Sequence, residues 1–337
     1  MTGIARRAFL GLITGTVAAP AAVLGQPAPP RIALVVPTLP HADVVGPEPQ
    51  ARPVRYFLRS LADLGWVDGR TIVIERHTLE GHTERAPELF AELIRRKVQL
   101  LVVVSNGLVA TARRATAIVP IVMLAADPVG DGLVASLARP GGNVTGTDTL
   151  PSPEFSQKWL ELLKDAAPKA SRVAVLTGPR APNPKLVERQ MSEVERAASS
   201  LRLQLRWLEI PSVELAAERL ATLTAQRPDA LLAINSATLA IARHKIIAFA
   251  AQHRLPTVGA FGTFAEDGGL LAYGNDTRDT WRRMASYVDR ILKGARPADL
   301  PVEQPTRLEL IVNLKTANTL GLTLPQSLLL RADRVIQ

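Results

Sequence analysis

The residues best spaced to do chemistry are Gly130-Asp131-Gly132-Leu133-Val134-Ala135. A Gly-x-Gly-x-x-Ala run after a strand can bring backbone N–H groups onto a pyrophosphate at a helix N-terminus. Two features oppose that use here. The run follows the fourth strand of its series rather than the first, and Asp131 puts a negative charge where phosphate would sit. A glycine-rich helix start explains the same letters. Other reaction motifs are missing: there is no Gly-x-Ser-x-Gly elbow and no P-loop. The five histidines (His41, His77, His82, His244 and His253) lack the four-residue spacing of paired zinc ligands on a helix. With no cysteine, a thiolate nucleophile, a cysteine-held metal, a disulfide framework and a lipid-modified N-terminal cysteine are all excluded. The chain therefore reads as a binder: no catalytic residue, no metal and no cofactor is expected.

In open parallel sheets, ligands gather beyond the carboxyl ends of the strands. Residues at those places form the candidate binding set. The first half offers Thr38, Ser105, Asn106 and Asp127; the second offers Thr177, Asn235, Ser236 and Phe261. Asn275 and Asp276 follow a late strand where the chain returns. Hydroxyls, amides and helix N-termini can bind a carboxylate. Asn, Ser, Thr and Asp just before a helix are equally ordinary N-caps, so each has two readings.

The elements that would position them alternate. Apolar runs at 31–36, 100–104 and 120–124 read as strands, the latter two buried on both faces. Helical spacing runs over 53–64 (ended by Gly65), 83–97 and 107–118, with a short helix expected at 133–138 before the Arg139-Pro140-Gly141-Gly142 turn. A second series follows: helices near 154–165, 185–201, 213–226, 238–253 and 279–293, and strands near 172–176, 204–210, 230–234, 255–260, 268–274 and 308–312. Alternating strands and helices imply an α/β fold with two doubly wound parallel-sheet lobes.

At 337 residues the chain can fill two domains. Its net charge of +9 invites nucleic acid as a partner, but the cations come singly or in pairs among acids, and aromatics make up only 4%. Stacking platforms for bases are scarce, and no nucleic-acid partner is expected.

Arg6-Arg7-Ala8-Phe9-Leu10 followed by an uncharged stretch to Gly25 has the layout of an export leader over residues 1–25, with cleavage after Gly25. The paired arginines suit the twin-arginine route. The expected location is the periplasm.

Several long stretches resemble the ABC transporter substrate-binding proteins of the aromatic amino-acid receptor branch. They include Leu61-Ala62-Asp63-Leu64-Gly65-Trp66-Val67-Asp68-Gly69-Arg70, the run from Asp127 to Gly146, and Lys158-Trp159-Leu160-Glu161-Leu162-Leu163-Lys164. Tyr287 to Gly294 and the tail from Asn313 to Pro325 match too. The resemblance implies a type I periplasmic binding protein: two lobes, 30–147 plus 268–302 and 148–267 plus 303–337, joined by three crossings near 148, 267 and 303. It further implies a small polar or amino-acid-like solute held between the lobes, an ABC permease as partner, and a monomer. The chain departs from the family at Ala260-Phe261-Gly262-Thr263-Phe264 and in the proline-rich loop from Leu39 to Pro49, both expected to line the cleft. An exported α/β enzyme (hydrolase or isomerase) using the same cleft is the alternative. A receptor feeding a membrane sensor would look the same.

Overall fold

The computed structural model describes residues 28–149, 154–179, 184–304 and 306–337; the leader read at 1–25 lies outside them. The first series runs β1 (Arg31–Val36), α1 (His41–Val44), α2 (Arg52–Asp63), β2 (Val73–Thr78), α3 (Ala86–Arg95), β3 (Leu100–Val104), α4 (Asn106–Ala115), β4 (Ile121–Ala125) and β5 (Val144–Asp148). The second opens with α5 (Glu154–Ala166), β6 (Arg172–Thr177), α6 (Pro184–Ser200), β7 (Gln204–Glu209), α7 (Ala216–Ala221), α8 (Leu223–Gln226) and β8 (Ala230–Ala233). It continues with α9 (Ala237–Gln252), β9 (Thr257–Gly259), α10 (Thr263–Glu266) and β10 (Leu271–Asn275). The chain ends with α11 (Thr277–Leu292), β11 (Leu308–Asn313), α12 (Leu314–Leu320), α13 (Gln326–Leu330) and β12 (Arg334–Ile336).

The strands form two sheets, ordered β2-β1-β3-β4-β5 and β12-β11-β10-β9-β8-β6-β7. Every pairing is parallel except β10 with β11. Each sheet is covered on both faces, and the two-residue period of a strand shows it directly. Ile32 and Leu34 of β1 enter one core with Phe57 and Leu61; Ala33 and Val35 enter the opposite core with Phe90 and Leu93. In the second sheet, Val173 and Val175 of β6 face Trp159 and Leu163, while Ala174 and Leu176 face Leu220 and Ile246.

Local signals set the helices. α2 begins with Pro53 in its first turn, where a missing N–H costs nothing, and buries Val54, Phe57 and Leu61 along one stripe. It stops where Gly65 turns left-handed (φ +92°): the Gly65 N–H bonds the Ala62 carbonyl and the Trp66 N–H bonds the Leu61 carbonyl. α11 follows a strand of the second sheet yet packs on the first. Its Trp281, Met284, Tyr287, Val288 and Ile291 are buried there, with Trp281 edge-on to Phe57 at 5.8 Å. Each such side chain contributes about 1.5–3 kcal/mol of burial free energy. This return knits the lobes.

Two expectations need correction. The second passage between lobes falls at Asn275–Thr277, not near 267, because β10 pairs with β9 on one side and β11 on the other, inside the second sheet. Before β10, an added Cβ on Gly269 would sit 2.3 Å from the Phe264 ring. That glycine makes room for a core aromatic. Residues 133–138 form no helix: the stretch is a chain of turns, with the Leu133 N–H on the Pro128 carbonyl and Gly132 at φ +65°. The dinucleotide reading of 130–135 thereby loses the helix it needs.

Candidate functional site

The three passages between the lobes lie side by side. Thr147 of β5 bridges to Glu303, the Asp148 N–H bonds the Glu303 carbonyl at 2.9 Å, and the Glu303 N–H bonds the Gly146 carbonyl at 3.0 Å. Asp148, 3% exposed, accepts from the Asp127 backbone N–H at 3.0 Å and from Gln304 Nε2 at 3.1 Å. Asn275 Nδ2 donates to the Thr149 carbonyl at 3.4 Å, joining the end of β10 to the end of β5. The carboxyl edges of the two sheets therefore meet at this joint. Arg283 locks α11 to the third passage through Glu303 at 2.5 Å and Thr306 at 2.9 Å, and it also holds Asp279 at 2.8 Å. Burial works to raise the Asp279 carboxyl, but the guanidiniums of Arg283 and Arg282 outweigh it and hold it below the usual range.

In the first lobe, the candidate residues divide. Thr38 stands half-buried after β1. Ser105 sits between β3 and α4 at φ +88° and ψ 145°, a region that L-residues rarely occupy. Its N–H bonds the Leu124 carbonyl, and the Val109 N–H bonds its own carbonyl. Asn106 is engaged internally: its amide donates to the Ala126 carbonyl and to Asp131 at 2.5 Å, and its oxygen accepts from the Ala126 N–H at 3.0 Å. Asp127 is left-handed (φ +48°), and its carboxylate takes the Gly130 N–H at 3.0 Å. Both side chains thus brace the β4 loop.

The second lobe offers a different mix. Thr177 is 4% exposed. The loops after β6 and β8 touch, because a Cβ on Gly178 would lie 2.0 Å from Ser236 Oγ. Asn235 and Ser236 are half-buried at this contact. Phe261, half-buried after β9, packs edge-on to Phe264 at 5.7 Å. Asp276 caps α11 through the Asp279 N–H.

The structure thus gathers Ser105, Asn106 and Asp127 on one edge, Thr177, Asn235 and Ser236 on the facing edge, and Asn275 and Asp276 at the joint. One cross-lobe ion pair carries no sequence signal. Arg52 of α2 pairs with Glu266 of α10. In the second lobe, Glu214 is held below the usual carboxylate range, first by the Ser212 hydroxyl.

Between the lobes, on the side of α2 and α11, lies an open cavity of about 1010 Å³. It is walled by the 47–59 segment of the first lobe, by α10, Glu309 and Arg334 of the second, and by Asp276 and Arg307 at the passages. Of the ten sequence candidates only Asp276 reaches it. Among the described residues, no helix is long and apolar enough to cross a membrane.

Against known proteins, residues 50–336 match the model of the ABC transporter substrate binding protein family. The tyrosine-binding protein of Clostridioides difficile (strain R20291) is 25% identical over 268 residues, covering 79% of this chain and 75% of the relative. The crystal structure of a conserved domain protein from Vibrio cholerae superposes with a TM-score of 0.79 at 24% identity, covering 91% of this chain and 99% of that one. An ABC domain in complex with L-Trp from Streptococcus pneumonia gives 0.78 at 24% identity, over 92% and 100%. The two lobes have the type I periplasmic-binding-protein fold.

Proposed function

The chain belongs to the family of ABC transporter substrate-binding proteins, and from that premise we propose that it captures a small amino-acid-like solute between its lobes and presents it to an ABC importer. The observation that carries this reading is the joint at Asn275 and Thr149, where the carboxyl edges of both sheets converge. Ligands of open α/β sheets collect at such edges. Asn235 and Ser236 on one side and Ser105 on the other offer donors to a carboxylate, and Phe261 offers an aromatic flank. The relatives' ligands, tyrosine and L-Trp, favour an aromatic amino acid as the solute class.

The mechanism needs no bond-making. A solute touching both lobes binds the closed form more tightly than the open one and shifts the population toward closure. The three adjacent passages serve as the hinge, absorbing rotation in a few backbone dihedrals. Micromolar affinity, about −8 kcal/mol, is ordinary for such a site. Export to the periplasm, by the twin-arginine route, and work as a monomer complete the proposal. The test is native mass spectrometry of the exported protein, followed by release and identification of any bound molecule. A stoichiometric amino-acid-like adduct that disappears in Asn235→Ala is expected. An adduct unaffected by changes at Asn235, Ser236 and Ser105 together would overturn the cleft assignment.

A further inference from the structure

The open cavity between α2, α11 and the second lobe is walled by six arginines and four acids. The acids are largely committed. Glu266 takes both Arg52 and Arg334, Glu309 takes Arg334, and Asp276 caps α11. Burial pushes the Glu309 carboxyl up, against the pull of Arg334. Glu48 alone is unspent, and it is exposed on the rim.

Arg55, Arg59, Arg278 and Arg307 are left over. Among the described residues, no carboxylate stands within ion-pair distance of any of them. Arg55 and Arg59 are one turn apart on α2, so their Cβ atoms lie roughly 5–6 Å apart on one helix face. Arg278, in the first turn of α11, is held over the Tyr56 ring at 5.3 Å from its centroid. Arg307 joins from the third passage.

Arg55, Arg59, Arg278 and Arg307, all exposed, line one concavity from three segments. Each fork matches two oxygens of a phosphate or carboxylate. The volume is large for a single oxyanion and lies at the upper end of the size range of small-molecule sites. We infer that this cavity is a second ligand site, for a small soluble polyvalent oxyanion carrying at least two phosphate-like groups. Its cations come from α2, from the start of α11 and from the third passage, and of the ten candidate solute contacts it shares only Asp276.

The test is calorimetric titration of the full chain with inorganic pyrophosphate at constant ionic strength, with chloride as the matched control. One saturable site is expected, weakened tenfold or more in R55A/R59A and in R278A/R307A. It should be unchanged in R70A/R206A, which removes the same charge elsewhere. Circular dichroism melts verify folding. If an alanine pair fails to fold, R55K/R59K keeps the charge without the fork, and an intermediate loss is expected. Absence of saturable binding in the parent chain overturns the proposal, and so does full affinity in every cavity variant. Aromatic amino-acid binding, measured on the same samples, should survive R55A/R59A. Its absence in the parent chain alongside intact pyrophosphate binding would count against the solute reading alone.

Discussion

Arg52, at the start of α2, forms an ion pair with Glu266 of α10 on the opposite lobe. The Glu266 side chain is 10% exposed and that of Arg52 44%, and Glu266 is shared with Arg334. The pair bridges the two lobes, across the gap through which the proposed solute would enter. A half-exposed pair contributes about 0–1 kcal/mol. Arg52→Ala should therefore move the lobes toward the open form and weaken solute affinity up to about fivefold. Small-angle scattering should show a larger radius of gyration for the solute-free variant.

Ser105 holds a backbone conformation that strains a side-chain-bearing residue, at a cost of about 1–3 kcal/mol. Glycine relieves that strain and loses about 0.5–1 kcal/mol of chain entropy. Ser105→Gly is expected to raise the melting temperature by about 2–4 °C while lowering solute affinity. Calorimetry of unfolding and of binding on one sample checks both signs.

Asn106 and Asn235 look alike in sequence and separate in structure. Asn106→Ala strips three hydrogen bonds from the β4 loop and should cost about 1–3 kcal/mol of stability. Asn235→Ala removes a half-buried amide at a strand end and should leave stability within about 0.5 kcal/mol while weakening solute binding. Chemical denaturation distinguishes the two.

Asp229 ties the start of β6 to the start of β8. Its carboxylate takes Arg172 at 2.7 Å and accepts the Ser171 and Arg172 backbone N–H groups at 3.0 and 2.8 Å. The Arg172 guanidinium foremost, with those N–H groups, holds it well below the usual carboxylate range. A depressed folded-state value adds stability that is complete above the unfolded value of about 4 and drains as pH falls through the folded value. Asp229→Ala should cost about 1–3 kcal/mol at neutral pH. The gap to the parent should narrow on acidification below about pH 4. Denaturant melts across pH 2–7 measure it.

Gly146 sits at φ +138° in β5, and a Cβ there would lie 2.2 Å from the Met123 carbonyl oxygen. The clash is with backbone and cannot be relieved by a rotamer change. Gly146→Ala is expected to lose more than about 3 kcal/mol, seen as a lowered midpoint in denaturant.

How far the sequence reveals this molecule depends on the element. β1 and β3 are legible because their unbroken apolar runs meet the demand of a strand covered on both faces. β5, with the sequence Val-Thr-Gly-Thr-Asp, is not: its polar residues are buried by hinge bonds to the 300–304 segment, which a local window cannot sense. The 133–138 run carries apolar residues at helical spacing, but Gly130, Gly132 and Pro140 hold it in turns. The strand-end candidates are legible as positions. Their roles are not, because a capping Asn and a ligand-facing Asn share the same letters. The Arg52–Glu266 contact joins residues from two lobes, and no local pattern announces it.

The central claim is that the strand-end cleft traps a solute by lobe closure. Isothermal titration of the full chain with the aromatic and aliphatic L-amino acids tests it most directly. The account predicts one saturable 1:1 site of about micromolar affinity for at least one of them, weakened at least tenfold by Asn235→Ala. No saturable heat from any of them, or binding indifferent to Asn235, Ser236 and Ser105, would contradict it.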